Sequence, residues 1–548
     1  MSLFRSTFNF GFMTLVSRLL GFARDVVMAR MFGVSAATDA FFVAFKIPNF
    51  LRRLFAEGSF SLAFVPVLSE YREKGDDQAV KSLVDNVAGS LLAVLLVITA
   101  IGVLAAPWVI AIFAPGFLRD DERWDLGAGM LRVMFPYLLL VSMTALAGGI
   151  LNTLGRFALP ALSPALLNLS MITAALAFSA YFQVPIEAVA WGVLVAGFLQ
   201  LGLLLPSLAR HGLLPRPRWG FAHPGVRRIL RLMIPTLFGS SVAQISLLID
   251  TLIASLLITG SVTWLWYADR MMEFPLGVFG VALSTVILPS LASLHARKHL
   301  DGFRATLDWA LLLGLVIGIP SAVGLAVLAG PLITTLFQYG SFAAVDARMA
   351  SWALVAYSVG LPAFIGVKIL APAFFSRQDT KTPVIVAVIA LVTNMILNVV
   401  FVMMLAGFFS GWDFSDGLLA TLAAHPGVHL GLALASSLCG WLNAGLLWWF
   451  LRKPGLAPSI PFTRLAQVGL AAGLMAAALA MFVPQTAEWI EADLLARLGG
   501  LAAAVGFGAG IYFLVLFASG LRPAHLARPA GTEAPEQSRA GPGSPGQS

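Results

Sequence analysis

The chain has 548 residues, of which 59% are hydrophobic and only 11% charged, with a formal net charge of +8. Soluble domains carry about 25% charged residues, so this composition excludes a soluble enzyme or a string of soluble domains and makes lipid the solvent for most of the chain. The positive balance is therefore a question of membrane topology before it is a sign of any partner.

In chain order, the first apolar stretch is interrupted by Arg18, Arg24 and Asp25 and is followed by no small-residue cleavage site, so it reads as a retained helix rather than a cleaved signal peptide. Runs such as Leu91 to Phe113, Leu166 to Phe182 and Leu465 to Val483 have the length and apolarity of bilayer-crossing helices. They are continuous rather than alternating, which selects helices over a closed barrel. Turn residues and charges then delimit about fourteen spans: near 7–31, 36–68, 83–113, 127–153, 158–181, 187–209, 229–258, 263–292, 305–337, 350–375, 383–407, 429–451, 465–483 and 495–519. The expected fold is an all-α integral membrane protein.

Of the 35 basic residues, 22 fall on the side of the membrane that holds the N-terminus and ten within spans. Only Arg119, Arg123 and Arg348 fall on the other side. This asymmetry predicts that both termini are cytoplasmic, and it accounts for the basic segments at Arg210–Arg231 and Arg297–Arg304 without nucleic acid. Nucleic acid is not an expected partner.

Ala63 to Ser69, around Pro66, resembles Val286 to Ala292, around Pro289, and ends the second span as the latter ends the eighth. Six spans separate them, which predicts two pseudo-symmetric six-helix lobes plus two additional C-terminal helices. The expected division is a first lobe at 1–210, a basic interlobe linker at 211–228, a second lobe at 229–451, two helices within 452–519 and a tail at 520–548. From Leu521 to Ser548 the chain is rich in Pro, Gly, Ala and Ser, and the expectation there is disorder.

The first 60 residues set six basic and three acidic side chains into apolar helices: Arg18, Arg24, Asp25, Arg30, Asp39, Lys46, Arg52, Arg53 and Glu57. At a bilayer centre each such charge costs roughly 2.5–3.5 kcal/mol on insertion scales, so they must face a wet cavity or one another. Asp39, Lys46 and Arg53 recur at seven-residue spacing with Asn49 between them, a single polar stripe, and Pro48 is expected to break the helix inside it. In the eighth span Arg270 and Glu273 share a face beside Asp269, followed by Pro275. With Arg270, Asp269 and Glu273 added, seven basic side chains stand against five acidic ones, a net-positive cavity suited to an anionic, phosphorylated substrate. The competing reading is that the arginines form ion pairs between lobes. The candidate substrate-binding set is Arg18, Arg24, Asp25, Asp39, Lys46, Asn49, Arg52, Arg53, Glu57, Arg270 and Glu273.

Three runs carry a family resemblance: Ser17-Arg-Leu-Leu-Gly-Phe-Ala-Arg-Asp25, Ala37 through Arg53 to Phe60, and Tyr267-Ala-Asp-Arg-Met-Met-Glu-Phe-Pro275. Phe337-Gln-Tyr-Gly340 and Phe375-Ser-Arg-Gln-Asp379 extend it. The chain resembles the MurJ/MviN lipid II flippases of the multidrug/oligosaccharidyl-lipid/polysaccharide exporter superfamily. The resemblance implies a transporter, not an enzyme, that moves undecaprenyl-pyrophosphate-linked disaccharide pentapeptide across the bacterial inner membrane during peptidoglycan synthesis by alternating access. Lipid II, membrane lipids and peptidoglycan-synthesis proteins are the implied partners. The family's functional charges fall on Arg18, Arg24, Asp39, Arg52, Arg270 and Glu273. Its last two helices form a hydrophobic groove, which the Ala- and Gly-rich composition here allows, as it equally allows close packing. Multidrug antiporters and other polysaccharide-lipid flippases are the nearest alternatives, and a cationic-drug pump would need a more acidic cavity.

Outside the main cavity Asp250 stands alone in the seventh span, and Asn394 and Asn398 share a face of the eleventh. These three, with Ser436 or Ser437, are candidate ligands of a coupling cation, sodium or a proton; the asparagines serve equally as helix–helix glue. No cofactor is otherwise expected. Lys368 is left open as a partner of Asp250 or a further cavity charge. Asp120, Asp121, Glu122 and Asp125 read as a solvated turn, His425 and His429 as solvated loop residues, and Cys439 as core packing.

Overall fold

The structure is a computed structural model that describes residues 3–53, 60–453, 455–484, 486–522 and 526; at 3–12, 14, 15, 62, 235–243, 486 and 487 it describes the backbone alone. All regular elements among the described residues are helical, as they must be where no water pairs the backbone. In chain order they are α1 (Leu3–Phe32), α2 (Ala36–Arg52), α3 (Ser61–Glu73), α4 (Asp77–Leu104), α5 (Ala106–Phe113), α6 (Asp121–Met134), α7 (Tyr137–Thr153), α8 (Ala158–Thr173) and α9 (Glu187–Arg210). The second half holds α10 (Pro224–Ser255), α11 (Ser261–Pro275), α12 (Val281–Ala296), α13 (Leu300–Val327), α14 (Ala329–Phe337), α15 (Ala344–Ser358), α16 (Leu361–Phe375), α17 (Lys381–Ser410), α18 (Leu418–Ala424) and α19 (Leu430–Arg452). The chain closes with α20 (Phe462–Phe482), α21 (Thr486–Glu491) and α22 (Leu494–Ala518).

Ten helical segments are long and apolar enough to cross a membrane, and the pair α15–α16, bent by 43°, makes up to eleven. The three further spans expected at 7–31, 36–68 and 229–258 coincide with α1, with α2 and α3, and with α10. Charges dilute the apolarity of α1, residues 54–59 between α2 and α3 lie outside the described set, and α10 is only partly described in its side chains. The tail expected to be disordered lies outside the described residues except at 521, 522 and 526.

Helices α1 to α9 pack chiefly on one another, as do α11 to α19, while α10 touches both groups and α20 and α22 pair with each other against α13. Pro66 and Pro289 occupy matching places: each sits inside its helix, seven residues before the last residue of α3 (Glu73) and of α12 (Ala296). The groups meet along an aromatic seam in which the Phe42 and Trp266 rings stack at 4.6 Å and Phe42 meets Tyr267 edge-on at 5.9 Å.

Three expectations need correction. Pro48 does not break its helix: α2 runs through it to Arg52, because one missing N–H and a local bend are tolerated in a packed segment. Pro275 is followed by a π-turn at Leu276–Gly280 that leads straight into α12, so this span is bulged rather than interrupted. His429 is also no solvated residue. It is fully buried, with Nε2 3.1 Å from the Met349 carbonyl and its ring 5.1 Å from Trp264, because the segment before α19 folds back over α15. Asp120 caps α6 by accepting from the Arg123 N–H and pairs with the Arg123 side chain at 2.7 Å.

One end of the molecule carries the basic loops, here called the basic end; the far end carries the connections at 33–35, 114–120 and 256–260. The linker after α9 is strapped along α4 at the basic end. Asp85, buried in α4, accepts from the Arg216 N–H at 2.7 Å and receives the Lys81 ammonium, its own carbonyl takes the Arg218 N–H at 3.1 Å, and Lys81 reaches the Leu214 carbonyl. A Cβ at Gly89 would stand 1.9 Å from the Arg218 carbonyl oxygen, so glycine is what lets the strap lie flat. Gly89→Ala should cost about 1–3 kcal/mol through overpacking and lift the linker. Limited trypsin digestion of the purified protein should then cleave after Arg218, since Pro217 protects the bond after Arg216, several-fold faster with unchanged helix content; cleavage at the parental rate would refute the strap.

Candidate functional site

A cavity of about 450 Å³ lies between the two helix groups, bordered by α2, α10, α11, α16, α17 and α19. Lys46, Arg53, Arg270 and Lys368 line it against Asp250, Asp269 and Glu273, a basic excess of one among the described residues. The excess is smaller than the sequence pattern implied, because several charges are consumed elsewhere.

The expected stripe of Asp39, Lys46, Asn49 and Arg53 divides by depth. Lys46, Asn49 and Arg53 face the cavity, and Lys46 donates to the Thr251 hydroxyl at 3.0 Å while its ammonium lies 5.7 Å from the Trp266 ring. Asp39, one turn into α2 from the far end, is fully buried and does not line the cavity. Its carboxylate accepts from the backbone N–H groups of Gly260 (2.7 Å) and Thr263 (3.0 Å) and from the Thr263 hydroxyl (2.6 Å). Gly260, at φ +101°, leads α11 and provides no side-chain cap, so a carboxylate from the other helix group caps α11. Unpaired N–H groups and the positive end of the macrodipole are what it satisfies.

A second crossing joins α1 to α11. Arg24 donates to Asp25 (2.7 Å from Nη2, 3.1 Å from Nε) and to the Asn168 amide oxygen (3.1 Å). The other Asp25 oxygen lies 3.4 Å from Nε of Arg270, whose Nη1 bonds Glu273 at 2.8 Å and whose guanidinium stacks 4.7 Å from Trp266. Arg24 and Asp25 are 5% and 3% exposed, so Arg24 holds Asp25 in place and Arg270 presents the remaining donors to the cavity. Arg18 is exposed, and its guanidinium lies against Gly277 at the π-turn, where a Cβ would meet it at 2.2 Å. Arg52 donates to Asn49 through Nε at 3.0 Å and Nη2 at 2.8 Å. Arg30 ends α1 at the far end, away from the cavity, and Glu57 lies outside the described residues.

Asp250, Asn394 and Asn398 do come together. Asp250 Oδ1 accepts from the two amide groups at 3.0 and 2.6 Å, and Ser436 lies 3.4 Å from Oδ2. Ser437 bonds the carbonyls of Ala356 and Tyr357 instead. The Oδ1 atoms of both asparagines are buried without partners. Lys368 lines the main cavity rather than pairing with Asp250. Asn168, which orients Arg24, escaped the sequence reading; an amide in an apolar helix was the available signal.

The hydrogen bonds and ion pairs that join the two groups concentrate toward the far end. There Ser341 N–H bonds the Arg30 carbonyl at 3.0 Å, its hydroxyl bonds Met31, and the Gly116 N–H bonds Ser255. Gly33, at φ +59°, is needed because a Cβ would strike the Ser341 carbonyl at 2.1 Å. At the basic end the corresponding pair among the described residues is Glu70 with Arg228, at the start of α10. The cavity is thus sealed at the far end.

Asp39→Ala strands the donors that lead α11, a loss of about 1–3 kcal/mol and hence a roughly 5- to 150-fold shift away from the sealed state. Spin labels at Tyr181 and Val345 in a Cys439→Ser background should show the longer distance gaining population; an unchanged distribution would mean that the cap does not hold this end.

The comparisons with known proteins agree with this geometry. The family model for lipid II flippase MurJ matches residues 28–499. A probable lipid II flippase MurJ of Vibrio cholerae serotype O1 is 42% identical over 519 residues, covering 93% of this chain and 95% of its own. The lipid II flippase MurJ of Burkholderia cenocepacia is 40% identical over 537 residues, covering 97% and 100%. Among solved structures, lipid II flippase MurJ in an inward closed conformation superposes with a TM-score of 0.76 at 26% identity, covering 92% of this chain and 97% of that one. An inward-facing multidrug resistance MATE family transporter shares the fold, with a TM-score of 0.64 at 15% identity over 80% and 95%. The chain belongs to the MurJ lipid II flippase family.

Proposed function

We propose that this protein flips lipid II from the inner to the outer leaflet of the bacterial cytoplasmic membrane by alternating access, with no catalytic step of its own. The observation that carries the reading is Arg270, a half-buried guanidinium held loosely by Asp25 at 3.4 Å across the two helix groups, on the wall of a basic cavity sealed at one end. Guanidinium forks match phosphate oxygens bidentately, so the pyrophosphate of the lipid can replace Asp25 at Arg270. That exchange removes one tie between the groups at the moment of loading. Lys46, Arg53 and Lys368 supply further positive charge, and Asn49 and Asp269 supply polar contacts for the sugars and peptide. The prenyl chain stays in the bilayer.

The basic end is read as cytoplasmic, because 22 basic residues lie on the side of both termini. The sealed far end is then periplasmic, and the structure is the state that admits substrate from the cytoplasm. In the Gly89→Ala variant the linker should be cut by trypsin in inverted vesicles and spared in intact spheroplasts; the reverse pattern would invert the orientation.

Asp250, Asn394 and Asn398, with Ser436, support a coupling site for sodium or a proton. As placed, the amide groups donate to the carboxylate, and a half-turn of each amide would direct its partnerless oxygen inward to complete an oxygen-rich site. Any ion bound there drives transport only if it prefers one arrangement of the groups.

Arg270→Glu should reduce flipping by more than about a hundredfold and Arg270→Lys by roughly tenfold, since the ammonium keeps charge without the fork, with abundance within twofold of the parent. A leaflet-resolved assay should find lipid-linked precursor accumulating in the inner leaflet; accumulation in the outer leaflet would identify a later, polymerising step instead. For the cation, Asp250→Asn should lose the response of transport to a sodium gradient or to membrane potential. Parental rates and parental response to both would leave Asp250 as helix–helix packing.

A further inference from the structure

Arg497, at the far end of α22, is an arginine in an apolar helix that the substrate cavity does not use. It is 7% exposed and has no carboxylate partner among the described residues. Its guanidinium instead spans the ends of two helices. Nε and Nη2 donate to the carbonyls of Ala492 (3.0 Å) and Ile490 (2.6 Å) at the end of α21, and Nη1 donates to Gln338 (3.1 Å) and Thr334 (3.4 Å) at the end of α14. Thr334 already accepts the Gln338 N–H, but carbonyls at helix C-termini carry the negative end of the macrodipole and most lack an intrahelical partner, so a buried cation is matched there without an acid.

Immediately beyond Gln338 the chain enters the seal. The Tyr339 ring lies 5.3 Å from the Arg497 guanidinium, Gly340 is tight against Arg30, and Ser341 makes the two bonds to the end of α1. On its other side Arg497 borders an apolar groove of about 640 Å³ between α20 and α22. One side chain therefore ties the groove wall to the loop that closes the far end.

We propose that Arg497 is a positioning residue that makes α21–α22 and the 338–342 gate loop move as one body, so that the far end opens only together with the C-terminal helix pair. The inference rests on the alternating-access reading, but its readout is access to the gate, independent of which molecule is carried. Lysine cannot replace arginine here, since three donors from one point cannot reach carbonyls of both helices in the same fork.

The test uses Met28, buried beneath the seal at 2% exposure, replaced by cysteine in a Cys439→Ser background and probed with a membrane-impermeant maleimide applied from the periplasmic side. In the full-length protein, Arg497→Gln should raise the labelling rate at least about fivefold and lower transport about tenfold with abundance within twofold of the parent, because the gate loop loses its anchor. Parental labelling of position 28 together with lost transport would reduce Arg497 to a fastener of the terminal helices and overturn the proposal. If Arg497→Gln does not accumulate, Arg497→Lys decides: labelling raised above the parent supports the proposal, and parental labelling with transport within twofold overturns it.

Discussion

An ionised side chain in hydrocarbon must be paired, set against a helix end or wetted, and most of this molecule's organisation follows from how it meets that demand. Three solutions are visible. Asp39 and Arg497 are matched to helix ends, Arg24 and Asp25 to each other, and Lys46, Arg53 and Lys368 to the cavity. The first kind lies at the far end, the second holds Asp25 toward Arg270 of α11, and the third leaves positive charge on the cavity wall.

The two ways of crossing between the helix groups differ in strength, and the difference has a mechanical meaning. Asp39 makes three short bonds in full burial, whereas the Asp25–Arg270 contact is long and lies on the cavity wall. Arg270 is open to the cavity, whereas Asp39 is not. On the proposed exchange at Arg270, loading would weaken the tie beside the substrate while leaving the seal in place, the order that alternating access needs if the cavity is not to open at both ends.

The strap of the linker on α4 and the double allegiance of α10 add a constraint on how the groups rock. The start of α10 is held to the first group through Glu70 and Arg228, and its later turns carry Asp250 against α17. Motion between the groups must then be absorbed along α10, which places the Asp250 cluster on the same helix that bends or tilts. An ion held there is well situated to bias that motion, since it need only prefer one position of α10.

Apolar length, charge asymmetry and the cost of charges in lipid were legible residue by residue, because they concern each segment and its solvent rather than its neighbours. They determined the helical membrane fold, the matching places of Pro66 and Pro289, the position of Lys46, Arg53 and Arg270 on the cavity wall, and the meeting of Asp250 with Asn394 and Asn398. What tertiary structure alone decided is which partner each charge takes. Asp39 and Lys46 share a helix face at seven-residue spacing, yet one caps α11 while the other borders the cavity, because the cavity ends between their depths. Pro48 marked a break that packing absorbed, and His429 sat in an apparent loop that folds inward. Arg497 is matched by backbone carbonyls, which every residue carries, so no pattern of side chains could have identified its partners.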